Sequence, residues 1–160
     1  MTETDQTPLL ILQNWFSPAF PIGAFSYSSG LETTIHRGDV DGRASLASWL
    51  TISMLHGTAF TDAVFLGAAM ADEDVNDLCL ALCAGAERHR ETTELGAAFT
   101  SVMRQTQAIT LPSGLAYPVA IGMAARQLNL QPQPVLAAFV QAVCMNQISV
   151  AVRTVPIGQI

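Results

Sequence analysis

The sequence predicts an all-α protein, a single-domain bundle of about seven helices spanning residues 1–160. Three observations carry this. Apolar residues recur at three-and-four spacing and not in alternation, and no segment joins alternation to a turn pair such as Asn-Gly. Prolines punctuate both ends of the chain but are absent between Pro21 and Pro112, a gap long enough for several helices. The length is sufficient for one hydrophobic core.

The elements follow in order. Thr7 reads as an N-cap with Pro8 at the first helical position, opening a short helix to about Phe16. Residues 17–23 form a loop, and Ala24 to His36 a second helix that Gly38 closes in the left-handed conformation. Asp41 caps a third helix carrying Leu46, Trp49, Leu50, Ile52, Ser53 and Met54. Thr61 or Asp62 caps a fourth. Asp72, Glu73 and Asp74 form a solvated, dipole-complementing cap before Val75, Leu78, Leu82 and Ala86. Another helix covers Glu91 to Gln107, ended by Leu111-Pro-Ser-Gly114, and two more run from Tyr117 to Leu128 and Pro132 to Val155. The last is apolar nearly all round and so is expected at the centre. Gly30, Gly57, Gly67, Gly85, Gly96 and Gly122 fall in helical pattern, where each costs about 1 kcal/mol against alanine unless close helix packing offsets it.

Charge narrows the function. Only 12% of residues are charged and 50% are hydrophobic, about half the usual charged share of roughly 25%. Apolar surface is therefore expected to lie under a partner. Lysine is absent, which excludes a phosphate loop ending in Gly-Lys-Ser/Thr and any Schiff-base chemistry. The net charge of −6 and the lack of clustered cations argue against nucleic acid. All 13 carboxylates lie at or before Glu94 with four arginines, so residues 1–94 carry −9 and the remainder +3. The N-terminus lacks a basic region before its short apolar run, and Ala63 to Ala71, the longest uncharged apolar stretch, is well short of the roughly 20 residues that cross a bilayer. A cytoplasmic protein, with no membrane contact and with three reduced thiols, is expected.

Reactive groupings are scarce. His36, His56 and His89 fall in three different predicted helices with no ligand spacing. Cys79 and Cys83 share a helix face, but no second pair completes a tetrahedral metal set, and both read as small buried hydrophobes, as does Cys144 beside Met145. The Glu87-Arg88-His89-Arg90-Glu91 run, with Glu94, reads as solvated helix surface in which Arg90 and Glu94 attract. No catalytic, metal or cofactor site is expected. The densest motif is Ser17-Pro-Ala-Phe-Pro-Ile-Gly-Ala-Phe-Ser-Tyr-Ser-Ser-Gly-Leu-Glu32, a loop-helix junction in which prolines pre-set the loop, Gly23 permits tight entry, and Ser26, Tyr27 and Ser28 offer donors.

That motif resembles the N-terminal segment of the urease accessory protein F family. The resemblance continues through Trp49-Leu50, Asp62, the Arg90 to Gly96 patch and Tyr117 to Gly122, and closes with Ser149-Val-Ala-Val-Arg-Thr-Val-Pro-Ile-Gly-Gln159. It implies an all-α, homodimeric, non-catalytic adaptor that joins accessory protein D (H in some species) to the GTPase G and helps deliver nickel to apo-urease. It also implies partner-binding roles for Pro21, Gly23, Phe25, Ser26, Tyr27, Gly30 and Glu32 and for Arg153, Pro156, Gly158 and Gln159. The family's water-filled passage for nickel would then be lined by the motif hydroxyls and Glu32. A rival role is direct activation of the GTPase by an arginine such as Arg153. Two departures stand out. The family continues past Gly-Gln whereas this chain stops at Ile160, so it reads as truncated, and Tyr117 stands near an expected histidine.

Overall fold

The computed structural model describes residues 7–24 and 27–155. Among these the all-α class holds, with eight helices and no strand: α1 (Thr7–Trp15), α2 (Leu31–His36), α3 (Arg43–His56), α4 (Thr58–Met70), α5 (Asn76–Ala81), α6 (Ala86–Gln107), α7 (Tyr117–Gln127) and α8 (Pro132–Thr154).

The central helix is α7 and not α8. Pro118 through Gly122, Ala124 and Ala125 are all buried, because small side chains on α7 let its neighbours close in on every side. Its widest interfaces are with α4 and α6. A Cβ built on Gly122 would lie 2.6 Å from the Leu66 carbonyl oxygen and 2.7 Å from the Ala69 methyl of α4. Likewise, a Cβ on Gly96 of α6 would lie 2.0 Å from the Leu115 carbonyl oxygen. Close packing thus offsets the helix penalty at these two glycines. Gly30, Gly57 and Gly85 are instead N-cap residues, and Gly67 packs no closer than ordinary contact.

The start of α7 is capped from outside. The Ala116 amide donates to Asn76 Oδ1 at 2.9 Å and the Tyr117 amide to Thr92 Oγ1 at 3.1 Å, while Pro118 has no amide hydrogen to satisfy. Asn76 also donates to the Gly114 carbonyl, which ties α5 to the loop before α7.

α8 buries a single stripe, Val135, Phe139, Gln147, Val150 and Ala151. All-round apolar character had suggested a central position, but much of that character faces outward. The helix is long and apolar enough to cross a membrane by length and composition, with mean hydropathy 1.8 and 28% of its most apolar window buried. It, and not 63–71, is the longest apolar segment. Its buried Gln147 amide accepts a hydrogen bond from Trp49 Nε1 at 3.0 Å and donates to Ser53 Oγ at 3.1 Å, fixing α8 against α3.

Five boundaries differ from expectation. α3 is capped at Gly42 and not at Asp41, whose carboxylate instead accepts from Ser45 Oγ at 2.9 Å, and the helix expected through Val75, Leu78, Leu82 and Ala86 is only Asn76–Ala81, with Ala86 opening the next helix after Gly85. The second helix begins at Leu31 and not Ala24, because Ser29 (φ 51°) and Gly30 (φ 87°) are left-handed and the Ala24 and Tyr27 carbonyls are taken by the Asn146 side chain. α4 starts at Thr58 from Gly57, so neither Thr61 nor Asp62 is its cap. α6 starts five residues before Glu91, at Ala86, which puts Arg88 inside a helix.

Candidate functional site

The two halves of the N-terminal motif are held differently. Trp15, Phe20 and Ile22 are buried, and Trp15 meets the Phe99 ring edge-on at 5.2 Å between centroids. Tyr117 links Phe99 to Phe139 with centroids at 6.0 and 6.3 Å, so aromatic rings connect the loop to α6, α7 and α8. Beyond Gly23, a positive-φ position at 75°, Asn146 of α8 donates to the Ala24 carbonyl at 3.3 Å and the Tyr27 carbonyl at 3.0 Å. Tyr27 then donates its hydroxyl to Glu94 Oε2 of α6 at 2.9 Å. That hydrogen bond, with lesser effects of burial and the Glu94 and Glu91 charges, raises the phenol pKa.

Charges on two helix faces meet beneath this loop. Asp62 lies three, four and seven residues before the buried Phe65, Leu66 and Ala69 of α4. Arg88 lies four, seven and eleven before the buried Thr92, Leu95 and Phe99 of α6. Both therefore sit on stripes that face the core. They pair at 2.5 Å, and Arg88 also reaches Glu91 Oε2 at 3.1 Å, with the three side chains 15–18% exposed. Burial raises the Asp62 pKa, and Glu91 adds to it, against the downward pull of Arg88. For Arg88 the outcome is opposite: burial lowers its pKa, but Asp62 and Glu91 more than compensate and leave it raised. By contrast Arg90 and Glu94, 2.9 Å apart, are exposed as expected.

Together these residues line a partly open pocket of about 90 Å³ between α1, the motif loop, α4, α6 and α8, with Trp15, Phe20, Tyr27, Asp62, Arg88 and Tyr117 in its wall. Two buried polar atoms of its lining residues, Trp15 Nε1 and Asn146 Oδ1, have no protein partner. The space accommodates several waters, which would satisfy them. Burial, and secondarily the Asp62 charge, raises the Tyr117 phenol pKa, so this hydroxyl stays protonated.

Of the residues singled out in the sequence, Pro21, Gly23, Gly30 and Glu32 lie exposed along the loop and the first turn of α2, and Arg153 is exposed in the last turn of α8. Phe25, Ser26, Pro156, Gly158 and Gln159 lie outside the described residues. The two motifs do meet. Leu31, between Gly30 and Glu32, is fully buried in a second small core with Val150 and Ala151, just before Arg153, and with Val40 and Leu46. Asp62 and Arg88, read as a cap and as solvated surface, are the pair the sequence reading missed, although their positions on apolar stripes signalled it. Cys79 is buried and Cys83 half-buried, its thiol 3.6 Å from the Cys79 carbonyl. Burial, with Asp62 next, pushes the Cys79 pKa up to about 12, which suits an inert thiol.

The described residues thus form an all-α fold with uncovered apolar side chains on several helices and a pinned, motif-rich loop. Residues 40–160 match the UreF family model. Curated relatives agree: the chain is 43% identical to a urease accessory protein UreF from Rhodopseudomonas palustris, covering 92% of this chain and 70% of the relative. It is 39% identical to another from Bradyrhizobium (99% and 73%) and 44% identical to one from Cereibacter sphaeroides (94% and 73%). The chain belongs to the UreF family.

Proposed function

We propose that this chain is a non-catalytic accessory protein of urease maturation, an adaptor that bridges the GTPase G and accessory protein D (H in some species) as nickel is delivered to apo-urease. It works as a homodimer in the cytoplasm, without nucleic acid, membrane or cofactor. The observation that supports this reading is the joining of the two family motifs through Leu31, Val150 and Ala151, which share one small core, with Glu32 and Arg153 exposed on the helices that meet there. Pro21, Gly23, Tyr27, Gly30, Glu32 and Arg153, with Phe25, Ser26, Pro156, Gly158 and Gln159, are its partner-binding residues.

Uncovered apolar area supports the same reading. Leu9 and Met145, 58% and 53% exposed, border a groove of about 660 Å³ between α1 and α8. Ile52, Phe60 and Leu82 are also exposed on α3, on α4 and just past α5. Area of this kind is characteristic of assembly surfaces.

Co-purification tests the adaptor role. The chain should bring down G and D, and Tyr27→Ala, which frees the loop from Glu94, should weaken that capture while leaving the helices folded; a chain that stays monomeric beside both partners would refute the proposal. A second reading, direct stimulation of GTP hydrolysis, is favoured by Arg153, which is exposed and makes no ion pair among the described residues. Loss of stimulated GTP turnover in Arg153→Ala, with assembly intact, would select it.

A further inference from the structure

Cys79 and Cys83 line one open hollow of about 280 Å³, with His56, Asp62 and Arg88 in the same wall. Cys79 is buried on α5, and Cys83 follows two residues after that helix ends at Ala81. The chain turns back there: the Cys83 amide donates to the Leu80 carbonyl at 3.2 Å, and the Cys83 thiol lies 3.6 Å from the Cys79 carbonyl oxygen. The two thiols are therefore neighbours, and the half-buried Cys83 gives access from solvent.

Ligand count, softness and charge decide which ion such a pair suits. Among the described residues no three His, Cys, Asp or Glu side chains converge as metal ligands, so a tetrahedral zinc set is not formed. Two thiolates alone suit a soft monovalent cation, which accepts two sulfurs and needs no third ligand. The resulting complex carries one net negative charge, and a cation stands ready to balance it. Burial raises the pKa of both thiols, and the Arg88 guanidinium pulls each back down. Asp62 opposes Arg88 in this but is already paired with it.

We propose that Cys79 and Cys83 form a two-coordinate site for a soft monovalent cation of the copper(I) class. Loading is a proton exchange with no change of oxidation state: two S–H bonds break, two metal–sulfur bonds form, and two protons leave to solvent. Until then the protonated thiols resist oxidants, because the thiolate is the reactive form. Ni(II) favours four ligands or more, so this site and the proposed hand-over of nickel can each fail alone.

The test uses the full chain carrying Cys144→Ser, without oxygen, with copper(I) supplied in a complex with a chromogenic chelator. One equivalent should move to the protein, and X-ray absorption should show two sulfur neighbours. Because two protons leave, affinity should rise about 100-fold per pH unit near neutrality. Copper(I) should also raise the thermal midpoint, since the folded chain presents the pair ready-made. Adding Cys83→Ser should lower the affinity about 100-fold or more, with circular dichroism checking the fold; the other readouts stand whether or not that variant folds. No transfer from the chelator, a third protein ligand, a rise of only about tenfold per pH unit, a lowered midpoint, or undiminished affinity in folded Cys83→Ser would each overturn the site. So would retention of Ni(II) in the same competition.

Discussion

Two glycine-to-alanine changes on facing helices should shift stability in opposite directions. Gly67 of α4 and Gly122 of α7 are both helix-interior, so each replacement gains up to about 1 kcal/mol of helix propensity. At Gly67 nothing opposes the gain: the nearest atom to a new Cβ is Leu136 Cδ1, 4.0 Å away at ordinary van der Waals distance. At Gly122 a new Cβ meets the Leu66 carbonyl oxygen at 2.6 Å and the Met70 amide nitrogen at 3.2 Å, both backbone of α4, as well as the Ala69 methyl at 2.7 Å. Backbone within a helix gives way only if the helix moves, so the overpacking penalty belongs at or above the upper part of the usual range of about 1–3 kcal/mol. The expected outcome is Gly67→Ala stabilised by about 0.5–1 kcal/mol and Gly122→Ala destabilised by about 2 kcal/mol net. Urea titrations followed by circular dichroism at a shared slope measure both. Equal shifts, or a stabilised Gly122→Ala, would refute the claim that α4 and α7 touch backbone to backbone.

Two further outcomes follow from polar groups. Asn146→Ala removes both donors that hold the Ala24 and Tyr27 carbonyls and should cost about 1–2 kcal/mol; hydrogen exchange at residues 27–31 should accelerate while α7 amides stay protected, and uniform protection would count against the pinning role. The raised Asp62 pKa means that the folded protein binds this proton more tightly than the unfolded chain. Asp62 therefore subtracts stability as pH rises from the ordinary carboxylate value through its raised one, by about 1.4 kcal/mol per unit at most. Asp62→Asn should flatten the stability profile in that window, and an unchanged slope would show that the carboxylate is not desolvated.

The class and most helix positions were legible because they depend on local signals. Thr7-Pro8, the breaker at Leu111-Pro-Ser-Gly114 and the prolines opening α7 and α8 mark boundaries wherever the helices pack. What escaped was set by partners distant in sequence. The stretch before Leu31 has helical spacing, yet Asn146, more than 100 residues on, takes its carbonyls and holds it as a loop. α8 is the more apolar helix but α7 is the buried one, since alanine and glycine admit close neighbours on all sides and bulk hydropathy does not register that. Asp62 and Arg88 each mark a buried stripe, and only their meeting across α4 and α6 shows why charge belongs there.

Gln147 works as an indexing pin. A smooth hydrocarbon rod resting on α3 would be free to roll, with little energy to choose one angle over another. One amide that must serve Trp49 and Ser53 together permits a single rotational setting, so the greasy remainder of the rod is offered to the outside in one fixed direction. Whatever seats there meets the same row of side chains every time.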